Sequence, residues 1–112
     1  MTIIGTNMTE QRQHFRYQVE FPATIEGDHT GRGIVYNLGI GGCKIVSDLA
    51  VRKGALLAVH LQIPEQTRAI TIRAATIRWK LDLEFGMEFL EMQEGDRARL
   101  TQFLATQVNI AP

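Results

Sequence analysis

The chain has 112 residues, of which 45% are apolar and 21% charged, enough for one compact domain with a modest core and too few for two. Twelve Lys and Arg stand against twelve Asp and Glu, giving a formal net charge of zero. That balance lacks the broad positive field of a general nucleic-acid binder, so any anion site has to be local. The single cysteine, Cys43, has no internal disulfide partner, and the start MTIIGTNMTEQ carries neither the basic head nor the apolar run of a secretory signal. A cytoplasmic location is expected, without membrane insertion, because no apolar stretch is long enough to span a bilayer.

In chain order, residues 1–16 are expected to form a flexible polar arm that becomes ordered when it folds over a ligand. Tyr17, Val19, Phe21, Ala23 and Ile25 then alternate with polar residues, a period of two that predicts a strand with one face on a core. Pro22 cannot donate to a ladder, which predicts an edge position. The turn EGDHTG (26–31) leads to a short strand over 33–36, and another strand is expected over 43–47, after the bend NLGIGG (37–42). Leu57, Val59, Leu61 and Ile63 mark a fourth strand ending at Pro64. In the next segment Ile70 and Ile72 share a parity that Ile77 and Trp79 do not, which predicts a bulge or face switch near Ala75. A KLD turn joins it to a strand alternating through Leu83, Phe85, Met87 and Phe89. The tail changes period: Leu100, Phe103, Leu104 and Val108 share one stripe, predicting a helix over 94–108 with Glu94 and Asp96 at its positive end. Six short strands and one helix predict an all-β fold, a six-stranded antiparallel β-barrel over residues 17–92 with a C-terminal α-helix on one mouth or side, the whole chain 1–112 being a single domain.

Two stretches carry chemistry. In RQHFR, Arg12 and Arg16 are four apart, which puts them on one side of either an extended or a helical segment. A guanidinium is a planar fork that binds phosphate oxygens or the O6/N7 edge of guanine and stacks on bases, so the pair suits a guanine nucleotide, although two solvated arginines at a terminus would read the same way. In NLGIGG, the glycines supply either positive φ for a turn or room for backbone N–H groups to approach a ligand, and the Asn37 amide offers a donor and an acceptor to a base edge.

RQHFR followed about twenty residues later by NLGIGG resembles the two-part signature of the bacterial PilZ domain, R-x-x-x-R and [DN]-x-S-x-x-G. The resemblance covers roughly residues 11–105 and extends to the proline after the second arginine, the hairpin bearing Trp79, the FGMEF strand and the closing helix. It implies a six-stranded barrel and a non-catalytic receptor for the second messenger cyclic di-GMP. It implies that Arg12 and Arg16 hold phosphates and guanines, that Asn37 reads a guanine edge, and that Gly42 is the terminal glycine of the signature. Gly39 stands where the family usually has serine. The missing hydroxyl would remove about 1 kcal/mol, roughly fivefold in affinity. Gln11 replaces a further arginine found in many members, and the resemblance implies that this position bears on whether one ligand or an intercalated pair is held.

Other residues are weaker candidates. Gln11 and His14 in the arginine segment and Gly41 in the bend are within reach of such a ligand. Trp79 either stacks a guanine or, as lone tryptophans on strands more often do, packs on the core or helix. Lys44 and Arg78 either add charge to the same face or are simply solvated. Cys43 reads as a buried structural thiol, and Asp28 and His29 as turn residues. His14, His29 and His60 lack metal-ligand spacing, so no metal and no cofactor are expected, and no nucleophile, base and orienter form an enzyme's set. Output would pass to an unidentified downstream protein. The alternative is a PilZ-like domain that has lost the nucleotide and acts by protein contacts in pilus, motility or biofilm control.

Overall fold

The computed structural model describes residues 15–107. Six strands, β1 (Tyr17–Gly27), β2 (Gly31–Leu38), β3 (Gly42–Val46), β4 (Leu56–Leu61), β5 (Ile70–Leu81) and β6 (Glu84–Glu91), precede one helix, α1 (Glu94–Leu104). All pairings are antiparallel, and the order β1-β2-β3-β6-β5-β4 returns to β1 through Ala23↔Leu61 to Gly27↔Leu57, closing a barrel. Closure overturns the edge position expected from Pro22. Pro22 faces Ile34 on β2, and its carbonyl accepts from Gln62 N–H beyond the end of β4, so its missing N–H falls where the β1–β4 ladder has already stopped.

The alternation seen in sequence becomes the inside of the barrel. Val19, Phe21, Ala23 and Ile25 of β1 and Leu57, Val59 and Leu61 of the adjacent β4 point into the core side by side, all of them buried. In β5 a register shift between Ala74 and Ala75 moves the inward set from Ile70 and Ile72 to Ala75 and Ile77, the expected face switch. A second shift, between Ile77 and Trp79, reverses it again. The connection between β3 and β4 is pinned by the 26–31 turn: Asp28 accepts from Leu56 N–H at 3.0 Å and His29 Nε2 accepts from Arg52 N–H at 3.1 Å.

The helix closes one mouth. Leu100 and Leu104 are buried, and Phe103 meets Phe21 edge to face with ring centroids 6.0 Å apart. Arg99 reaches back from α1 to the Ala69 carbonyl at 3.1 Å and Gln66 Oε1 at 2.6 Å, tying helix to the β4–β5 connection. The helix ends at Leu104, one turn short of the expected 108, and Val108 lies outside the described residues. No helix among the described residues is long and apolar enough to cross a membrane.

Candidate functional site

Directly paired residues of an antiparallel sheet project to the same face, so the registers define a row on the outside of the barrel. Gln18 pairs with Asn37, Asn37 with Lys44, Lys44 with Gly86, and Gly86 with Trp79, which crosses β1, β2, β3, β6 and β5 in turn. One step along, Gly42 pairs with Glu88 and Glu88 with Thr76. Arg16, just before β1, joins this band at the bend 39–42. A concavity of about 530 Å³ results, bordered by Arg16, Asn37, Gly39, Lys44, Arg78 and Trp79, with Gly41, Gly86 and Glu88 also on its wall.

The bend is fixed to its neighbours. Gly39 N–H donates to the Gly42 carbonyl at 2.9 Å, and the Gly41 carbonyl accepts from Phe89 N–H at 2.8 Å. Neither Gly39, Gly41 nor Gly42 has a left-handed φ; among the described glycines only Gly27 and Gly54 do. The positive-φ reading of NLGIGG is therefore replaced by close packing. A Cβ on Gly42 would overlap the Met87 carbonyl oxygen, and one on Gly39 would sit 2.6 Å from the Phe15 carbonyl oxygen and 3.2 Å from Arg16 Cδ.

Trp79 corrects an expectation. It shares the parity of inward Ile77, but the second register shift in β5 turns it outward, where it is 42% exposed and its indole lies across Gly86. Packing on the core or helix does not occur. A bulge that re-aims one side chain beside a site is a recurrent use of that feature.

Three cations border the concavity. Arg16 has no ion-pair partner among the described residues, Lys44 is only loosely matched with Glu84 at 4.0 Å, and Arg78 Nε donates to Glu88 Oε1 at 2.6 Å. Asn37 Oδ1 is buried and accepts no hydrogen bond among the described residues. An acceptor left in that condition is costly unless a donor arrives. Cys43, on the inner side of the same wall, has its thiol pushed up to about 12 by burial, with the nearby Arg16 charge opposing the rise. It is a structural thiol.

The face thus brings together Arg16, Asn37, Gly39, Gly41, Gly42 and Trp79, and adds Lys44 and Arg78. Arg12, Gln11 and His14 lie outside the described residues. His29 is used in the 26–31 turn, and His60 bridges Glu26 and Thr71 on another part of the outer surface. Sequence reasoning missed Gln18, Gly86 and Glu88. Only Gly86 left a signal, a glycine inside an alternating strand, which marks close approach by another group.

A family model described as PilZ domain matches residues 10–106. The chain belongs to the PilZ domain family. PilZ domains are generally receptor domains without catalysis, and binding of cyclic di-GMP is widespread among them. This PilZ domain is similar to the solved structure of the Bacillus subtilis inhibitor of motility (MotI/DgrA), with a TM-score of 0.69 and 25% identity, covering 84% of this chain and 49% of that one. The PilZ domain described here therefore spans about half the length of that protein. No curated protein matches the chain.

Proposed function

We propose that this domain is a cytoplasmic, non-catalytic receptor for cyclic di-GMP that relays binding to a protein partner. The observation that carries the reading is the buried Asn37 Oδ1, without a donor among the described residues, on the same concavity as Arg16, which has no ion-pair partner among them. A guanine edge supplies N–H donors for the first, and a phosphate or the O6/N7 edge suits the second. Arg12 acts with Arg16 from the preceding segment, the backbone of Gly39, Gly41 and Gly42 borders the ligand, and Trp79 offers a base its exposed ring. Gln11 and His14 are further contacts from the arm. The output is the altered surface that arm, ligand and barrel share.

Trp79 is the only tryptophan in the chain, so its fluorescence reports on this face alone. Titration with cyclic di-GMP should change the emission and release or absorb heat in calorimetry. Arg12→Ala and Arg16→Ala should each weaken binding by about 10- to 100-fold, the worth of charge-assisted hydrogen bonds. Asn37→Ala should weaken it by about tenfold on the same scale, while GTP and a short RNA give no signal. No heat and no fluorescence change with the unaltered protein would instead favour a domain working through protein contacts in pilus, motility or biofilm control. That second reading draws on Gly39, which departs from the serine of the signature.

A further inference from the structure

We propose that Gly39 is a positioning residue whose missing side chain lets the Phe15–Arg16 segment lie against the 39–42 bend before any ligand arrives, leaving Arg16 already directed into the concavity. The proposal rests on the reading of this face as a nucleotide site and assigns the departure from the family signature a purpose within it.

The geometry is tight. An alanine Cβ at 39 would meet the Phe15 carbonyl oxygen at 2.6 Å and Arg16 Cδ at 3.2 Å, the first a distance that real Cβ atoms do not adopt. The obstructing atom belongs to the backbone, so it cannot swing aside as the end of a side chain would.

The question is which partner yields, and the hydrogen bonds answer it. The bend is held by Gly39 N–H to the Gly42 carbonyl, by Phe89 N–H to the Gly41 carbonyl, and by the contact of Gly42 with Met87, so moving it would break the β3–β6 junction. Phe15 and Arg16 precede the first paired residue of β1, Tyr17↔Leu38, and so lie outside its ladder. A side chain at 39 therefore lifts Phe15 and withdraws Arg16 from Asn37. The depressing influence of Arg16 on the Cys43 thiol is a second sign that the guanidinium sits over this wall.

The consequence reverses the expectation drawn from the signature. A serine at 39 would restore a hydroxyl of modest worth, but it would dismantle the ordered position of an arginine whose charge the ligand needs. Ordering a long side chain in advance removes part of the entropy cost of binding, and an apparent dissociation constant rises as the competent fraction falls. Restoring the family's residue should weaken this receptor.

The test uses the full chain and its Gly39→Ala and Gly39→Ser variants. Without ligand, trypsin should cut the Arg16–Tyr17 bond at least about fivefold faster in both variants, followed by mass spectrometry. Cyclic di-GMP should bind each about tenfold more weakly, a factor set by lowering the seated fraction tenfold. In an Arg16→Ala background, Gly39→Ala should cause no additional loss, since both changes remove the same guanidinium. Tighter or equal binding by Gly39→Ser, or unchanged cleavage, overturns the proposal. A proton Overhauser contact between Gly39 Hα and Arg16 Hδ in the unaltered, ligand-free protein needs no variant to fold, and its absence overturns the proposal as well. If the unaltered protein takes up no nucleotide, the reading of the face fails, while cleavage and the Overhauser contact still decide whether Gly39 seats the segment.

Discussion

Replacing Gly86 by alanine tests how Trp79 is held on the outside of the barrel. A Cβ there would overlap indole Nε1 and Cε2 and stand 2.9 Å from Cδ1, so the ring has to leave its place. Trp79 is 42% exposed, and a little over half of its surface is therefore covered in the native state. With about 250 Å² for a large aromatic and about 25 cal/mol per Å², the covered part is worth at most about 3 to 4 kcal/mol. A new rotamer along β5 would recover roughly half of that, and alanine in a strand returns about 0.5–1 kcal/mol relative to glycine. The net cost is about 1 kcal/mol, which lowers Tm by about 4 °C for a domain of this size. Urea unfolding followed by circular dichroism gives the stability, and tryptophan emission, shifted to the red as the ring enters water, gives the displacement. A variant that is more stable than the parent, with an unshifted emission maximum, would refute the placement of the indole on Gly86.

Further outcomes are expected elsewhere. The Cys43 thiol titrates at 9.0 in the open chain and at about 12 when buried, so between those values the unfolded chain binds fewer protons than the folded one. Its contribution is fully present below pH 9 and is lost as pH climbs toward 12; Cys43→Ala should flatten that part of a stability-versus-pH curve, and the native thiol should resist Ellman's reagent at pH 8. Arg99→Ala should cost about 1–3 kcal/mol in urea unfolding, because it unties Ala69 and Gln66 from α1. Arg99→Lys should recover little of this, lacking the fork that serves both acceptors. On the proposed reading, Glu88→Gln should tighten cyclic di-GMP by a few-fold in calorimetry, since it removes a carboxylate from the face proposed to take the nucleotide and frees Arg78 from an exposed pair worth only about 0–1 kcal/mol. Weaker binding in that variant would mean that Glu88 itself contacts the ligand.

The barrel was legible in the sequence because its strands are half-buried: Val19 to Ile25 and Leu57 to Leu61 alternate cleanly, and the change of period at Leu100 and Leu104 marks the helix. The face switch at Ala75 was also readable, since two parities in one strand require an extra residue. What escaped was anything that depends on register between strands distant in the chain. Pro22 looked like an edge residue because its neighbour β4 lies some thirty-five residues away. Trp79 looked like a core or helix contact because parity alone cannot reveal a second register shift two residues after Ile77. At the site, the motif pointed to Arg16, Asn37 and Gly39. Their company with Glu88 and Gly86 follows from the β3–β6 ladder, which pairs Gly42 with Glu88 and Lys44 with Gly86 and which no local pattern encodes. The glycines of the bend were seen, but their reason was not: carbonyl oxygens of Phe15 and Met87 lie where side chains would be.

A sheet that returns to its own first strand has consequences for how this domain can speak to another protein. Every strand already has two neighbours, and the only stretch of β1 without a β4 partner is the part before Ala23, where Pro22 interrupts the row of donors that an added strand would need. On the reading proposed above, a partner that senses the nucleotide would use side chains and loop ends and would touch the outer wall around Arg16 and Trp79. Substitutions of exposed side chains bordering that wall, away from the proposed ligand contacts, should then separate partner recognition from nucleotide binding while the barrel stays folded.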